Sequence, residues 1–247
     1  MGWQESRTGA LAEIDGLRRA VESLSPEGWA APTTCGWWTA GDCAAHVAQA
    51  MVNQLTAFRN MLDGSSETPE WIEGLHVDGP STVAAMVAGQ AMAVDVLGRL
   101  TDEHEDQLVP LPLGTFPTPI ALDIVLLEYG THHWDITHAV DPTAVLSPAA
   151  SAAVLGLAPA MLTFFAGPPP EAPLAYRLEA DSTVLEVALV DGAWAVAAAP
   201  AGVPCTVVRG DDSAIALFAL GRIGADDPGL QVDGADAATF KTWFPGP

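Results

Sequence analysis

The stretch Glu128-Tyr129-Gly130-Thr131-His132-His133-Trp134-Asp135 decides how this chain is read. It continues an apolar run, Ile120-Ala121-Leu122 and Ile124-Val125-Leu126-Leu127, and together they predict one helix from about Pro119 to Val140. Glu128 and His132 are four residues apart, so on a helix they lie one above the other on a single face. Asp135, seven residues beyond Glu128, returns to that face. A carboxylate, an imidazole and a second carboxylate therefore stack in apolar surroundings, where leaving them unpaired would be costly. A divalent metal would satisfy them, because Glu oxygen and His nitrogen are ordinary ligands. A buried Glu–His hydrogen bond would do so as well, and the helix alone supports both readings. His133 points about 100° away from His132 on a helix of about 3.6 residues per turn.

Outside this helix, composition narrows the function classes. The chain has 247 residues, 49% of them apolar, enough for one large domain or two smaller ones. It carries 31 acids against 9 bases, a formal net charge of −22, and the bases are scattered. Nucleic acid is excluded as an expected partner because phosphate binding needs clustered positive charge, and an anionic membrane surface is excluded for the same reason. The run 142–170 has no charged residue and is long enough to span a bilayer. Its alanines, Pro148, Gly156 and Pro159, and its lack of flanking Lys or Arg, predict a buried helix instead. The N-terminal residues lack the basic start and apolar core of a signal peptide. Cys35, Cys43 and Cys205 are odd in number and lack CxxC spacing, which argues against a disulfide scaffold. A cytoplasmic protein is the expectation.

Upstream of the central helix, Leu11, Ile14, Leu17, Val21 and Leu24 form one helical stripe that ends at Ser25-Pro26-Glu27-Gly28. An irregular aromatic segment follows, Cys35-Gly36-Trp37-Trp38-Thr39. Thr39 and Asp42 then form a capping box, with Asp in the usual Glu position, that opens a helix over Ala40–Leu62. This helix carries His46, with Gln49 and Asn53 following on the same face. His46 taken alone reads as a core histidine satisfied by a neighbour, and Cys43 as a small packing residue or, alternatively, a thiolate ligand. Residues 63–80, with Trp71 and His76, read as a loop, and Ser81 or Thr82 starts a third helix reaching about Thr101. The acidic tract Thr101–Asp106 reads as a solvated turn. Pro110, Pro112, Pro117 and Pro119 predict an extended connection into the central helix, which Thr118-Pro119 begins.

Downstream, a fifth helix spans about Ser147–Phe165, and Gly167–Pro173 is the clearest linker. The periodicity then changes. Leu174–Glu179, Val184–Val190, Trp194–Val196 and Cys205–Arg209 alternate as strands, Asp191-Gly192 is a turn, and a short strand lies near Leu230–Val232. Helices are expected over Asp211–Leu220 and Asp236–Trp243. The division is a helical domain over residues 1–166, a linker over 167–173 and a small α+β domain over 174–247. The chain contains no internal repeat, phosphate-binding loop, dinucleotide fingerprint or G-x-S-x-G elbow.

Three pieces together resemble the mycothiol-dependent maleylpyruvate isomerase family of the wider DinB-like group of metal-binding helical bundles. They are Cys35-Gly36-Trp37-Trp38-Thr39, then His46 within Asp42-Cys43-Ala44-Ala45-His46, then Glu128-x-x-x-His132-x-Trp134-Asp135. Asp211 through Gly221-Arg222 and Val232-Asp233-Gly234 resemble the family's C-terminal domain more loosely. The chain departs from the family in doubling Trp37-Trp38 and in placing His133 beside His132. The resemblance implies a DinB-like bundle followed by a small α+β domain, with His46, Glu128 and His132 as ligands of a divalent metal. Zinc fits that ligand set, as do nickel and iron. It also implies mycothiol or another low-molecular-weight thiol as cosubstrate, and isomerisation or S-transfer on a small electrophile. Asp135 is then expected to orient a ligand histidine, or to bond a neighbouring backbone; Gln49 and Asn53 face the cofactor, or serve the helix. Arg222 contacts an anionic substrate, or bonds the end of the preceding helix. The rival expectation from another class is a non-catalytic small-molecule-binding protein with a structural metal.

Overall fold

The computed structural model describes residues 2–70 and 79–246; Trp71 and His76 lie outside the described residues. The chain forms two compact units, Met1–Ala153 and Val154–Pro247.

The first unit is a four-helix bundle of α1 (Trp3–Ser23), α3 (Ala40–Leu62), α4 (Gly79–Gly98) and α5 (Thr118–His138), with a single turn, α2 (Pro26–Trp29), between the first two. The break after α1 is thus itself a helical turn, because the Ser25 hydroxyl accepts from Gly28 N and Pro26 supplies the first-turn proline. The Thr39/Asp42 capping box is formed, with Thr39 Oγ1 accepting from Asp42 N at 3.2 Å and Asp42 Oδ2 accepting from Thr39 N at 2.9 Å. The stripe of α1 is sealed in the core, Ile14 and Leu17 with no exposure, against Leu122, Val125 and Leu126 of α5.

Glycine sets how closely α5 is approached. A Cβ on Gly130 would lie 2.4 Å from Ala150 Cβ, and one on Gly16 would lie 2.5 Å from the His133 ring. α4 is the one helix among the described residues long and apolar enough to cross a membrane by length and composition, and it packs against α1 and α3.

The proline-rich approach to α5 differs from the extended connection expected of it. It is a hairpin, β1 (Leu108–Leu111) with β2 (Gly114–Pro117), antiparallel and turning through Pro112-Leu113. Proline is tolerated because a two-stranded ribbon has only edges, so a missing N–H can face away from the ladder. Val109 and Leu111 go into the bundle core.

The charge-free stretch forms α6 (Pro148–Phe164), with Pro159 inside it and 17 residues long, shorter than the roughly 20 residues a bilayer span needs. Gly167–Pro173 has neither helix nor strand. The second unit is a five-stranded sheet in the order β5 (Ala193–Val196), β4 (Val184–Val190), β3 (Ala175–Glu179), β6 (Cys205–Arg209), β7 (Gln231–Asp233). Only β3 and β6 pair in parallel. Asp191 and Gly192, with φ of 51° and 81°, make the two-residue turn between β4 and β5. Tyr176, Phe218, Phe240 and Phe244 form its aromatic core with Trp194. The chain is therefore α+β in class, a helical bundle followed by a small sheet unit. Helix α7 (Asp212–Ala219) lies between β6 and β7, and the four-residue α8 (Phe240–Trp243) closes the chain.

Candidate metal centre

Three donors from two helices converge in the bundle. His46, on the second turn of α3, places Nε2 2.9 Å from Glu128 Oε1 on α5. His132, one turn beyond Glu128, places Nε2 3.8 Å from the same oxygen. The donor atoms of the trio lie within 4.8 Å of one another. Two ligands held tetrahedrally about 2.0–2.1 Å from one ion are separated by about 3.4 Å. The two printed separations, 2.9 and 3.8 Å, bracket that value, so the trio fits a divalent ion. Glu128 Oε1 lies closer to His46 on the neighbouring helix than to His132 on its own.

His132 is held from behind. Asp135 Oδ2 lies 2.9 Å from its Nδ1, and the Asp135 side chain has no exposure. A histidine whose Nδ1–H donates to a carboxylate presents Nε2 as the electron pair, in a fixed tautomer and ring orientation. Trp38 walls the site, its ring centroid 4.8 Å from that of His46 and 6.1 Å from that of His132. The Trp38 backbone is anchored, its carbonyl accepting from Thr33 N at 2.9 Å and Thr33 Oγ1 at 2.8 Å.

His133 belongs to a different arrangement. Its Nδ1 lies 2.7 Å from Glu13 Oε2 on α1. Burial raises the Glu13 carboxyl, but hydrogen bonds from His133 and Ser147 outweigh it and hold Glu13 below the usual carboxylate range. His133 thus links α1 and α5 through Glu13 and is not among the clustered donors.

Gln49 and Asn53 follow His46 on one face of α3, and both are buried. Among the described residues, the buried atoms Gln49 Nε2, Asn53 Nδ2 and the Tyr129 hydroxyl have no hydrogen-bond partner within the protein. Buried donors of this kind ordinarily have a partner, and these three lie on the two helices that carry the trio. Burial, and then the negative charge of Glu128, push the Tyr129 phenol well above its ordinary range, so it stays a neutral donor.

Cys35 and Cys43 also reach the trio's edge; their sulfurs, one nitrogen of His132 and one oxygen of Asp135 lie within 4.8 Å of one another. A hydrogen bond from Cys35, then burial, then the Asp135 charge drive the Cys43 thiol far above the ordinary thiol range. Neither cysteine has a resolved role in the sequence, and Trp38 has none beyond its motif. What could have singled them out is the spacing Cys35-x-x-Trp38 and Cys43-x-x-His46, which helical periodicity alone does not connect.

Arg222 belongs to the second unit. Its backbone N donates to Leu217 O at 2.8 Å, while Gly221 N donates to Phe218 O at 2.9 Å. With Gly221 at φ 65°, this is the doubly bonded C-terminal cap of α7. The Gly221-Arg222 pair is therefore accounted for at the backbone by the helix end. The Arg222 charge also reaches Lys241, whose ammonium, chiefly through burial, is lowered to about 8.

A four-helix bundle thus brings two His and one Glu together from two of its helices as a candidate metal-holding group. The sequence model of the mycothiol maleylpyruvate isomerase N-terminal domain matches residues 10–137, more than half of the chain, and the chain belongs to that family. Two crystal structures of the mycothiol-dependent maleylpyruvate isomerase, one of them a histidine-to-alanine mutant, match with TM-scores of 0.68 and 0.67. Each is 16% identical and covers 94% of this chain and 93% of its own, which establishes a shared fold through both units. Among curated proteins no sequence relative matches.

Proposed function

We propose that this chain is a metal-dependent enzyme that uses mycothiol, or a thiol like it, to isomerise a small unsaturated electrophile. The observation that carries the reading is the meeting of His46, Glu128 and His132, from two helices, in a member of a family named for that thiol and that reaction. Three protein ligands are one fewer than a closed structural zinc site uses, so coordination positions are left for a small molecule. When bound, the ion and the thiol together supply a thiolate at neutral pH, a nucleophile suited to reversible addition at an electrophilic double bond.

The residues of the chain prepare that chemistry. His46 and Glu128, about a quarter exposed, form the accessible side of the donor set, and His132 forms its buried side. Asp135 accepts the Nδ1 proton of His132 and keeps Nε2 directed at the donors. Gln49 and Asn53 offer buried amide donors along α3, and Trp38 limits access of water to both imidazoles. Arg222 is the proposed partner for a substrate carboxylate, by the chemistry of guanidinium and carboxylate.

The test is turnover of maleylpyruvate by metal-loaded protein. Isomerisation that needs both mycothiol and the metal, and that stops on chelation, is the expected result. Folded, metal-loaded protein inactive with every low-molecular-weight thiol would sink the proposal. Arg222→Lys should keep fold and metal and lower kcat/KM about tenfold to a hundredfold, the worth of one charge-assisted bond.

A further inference from the structure

Two cysteines meet beside the metal ligands, in unlike surroundings. Cys43 is buried on the first turn of α3, one turn before His46. Cys35 is partly exposed on the loop 33–38, which also carries Trp38. Their sulfurs lie within 4.8 Å of one another, and Thr33 Oγ1, on the same loop as Cys35, lies 3.7 Å from Cys43 Sγ. The loop is pinned at its ends, by Thr33 to Trp38 and by the Pro32–Thr39 bridge, while Trp37 at its tip is 90% exposed. None of the three cysteines is in a disulfide, and Cys205 belongs to the second unit.

An accessible thiol in contact with a buried one is the arrangement of an attacking and a resolving cysteine. We propose that Cys35 and Cys43 form a reversible disulfide beside the metal site, with a low-molecular-weight disulfide as oxidant. Cys35 sulfur, having lost its proton, attacks one sulfur of the small disulfide RSSR. The Cys35–SR bond forms, the RS–SR bond breaks, and the leaving thiolate takes up the proton to give RSH. Cys43 sulfur then attacks Cys35 sulfur, the mixed disulfide breaks, and the second RSH leaves with the proton of Cys43. The protein pair loses two electrons and two protons, and RSSR gains both. The new bond ties the Trp38 loop to α3, fixing the wall that flanks His46 and His132. The disulfide does not depend on the activity proposed above, whereas its effect on metal release rests on the metal site of that reading.

The experiment treats metal-loaded full-length protein with glutathione disulfide and follows intact mass and peptide maps. The wild type should lose about 2 Da, the mass of two hydrogens, through a Cys35–Cys43 bond that dithiothreitol reverses. Cys43→Ser should stop at a glutathione adduct on Cys35, and Cys205→Ser should behave as the wild type. The oxidised protein should release its metal to a chelator more slowly than the reduced protein. A stable adduct on wild-type Cys35, or reaction confined to Cys205, overturns the pair. A disulfide that leaves metal release unchanged overturns the fixing of the wall.

Discussion

His132 and His133 are neighbours in sequence with opposite surroundings. Each has a carboxylate near Nδ1, Asp135 at 2.9 Å and Glu13 at 2.7 Å. A histidine–carboxylate pair therefore does not by itself mark a metal site. The difference lies at the other end of the His132 ring, where Nε2 meets Glu128 and His46 at a partly open edge. Around His133 the carboxylate is nearly buried, at 7% exposure, and is shared with Ser147, so the pair joins two helices. One residue along α5, a rotation of about 100°, thus separates a donor set able to take an ion from a clasp between α1 and α5.

The largest effect expected separates these two sides directly. His132→Ala and Glu128→Ala should each strip most of the metal, read by elemental analysis of purified protein. His133→Ala should keep the metal and instead lower stability by about 1–3 kcal/mol, because Glu13 is left buried with one partner fewer. If His133→Ala loses the metal and His132→Ala retains it, the two sides have been assigned the wrong way round.

A smaller effect tests what Asp135 does for His132. Asp135→Asn should weaken metal affinity by about 10–100-fold, as loss of an outer carboxylate usually does, with the fold kept. Chelator competition measures it; unchanged affinity would reduce Asp135 to a packing residue.

The clasp has its own signature in pH. Glu13 is held below its ordinary value in the folded state, so its ionised form adds stability that is fully present above the unfolded value of about 4.3. That contribution is lost as pH falls through the lower folded value. Denaturant unfolding between mildly acidic and strongly acidic pH should therefore show a steeper decline for wild type than for Glu13→Gln. Equal slopes would remove Glu13 from the account of stability.

The smallest effect concerns the proline-rich segment after α6, within the second unit. Limited proteolysis should cut within Gly167–Pro173 and leave the metal with the N-terminal fragment. Cleavage inside α5 would contradict both the bundle and the comparison built on it.

Much of this was legible from local spacing. The i, i+4 relation of Glu128 and His132, the Thr39/Asp42 capping box, the alternation of the later strands and the Asp191-Gly192 turn are properties of a few adjacent residues. They follow from helix and strand geometry wherever the segment sits. The proline-rich hairpin before α5 was not legible, because proline restricts a backbone without saying whether another strand lies beside it.

What the tertiary structure alone decided is which distant residues meet. His46 and Glu128 are 82 positions apart, and Glu13 and His133 are 120 apart. No periodicity connects them; the packing of α1, α3 and α5 does, and that packing depends on side-chain volume, as the contacts at Gly16 and Gly130 show. The sequence by itself determined the faces of these helices and the donors each face carries. Which face meets which, and hence that His132 serves the donor set while His133 clasps α1, came from the fit of whole helices, a property that no single segment contains.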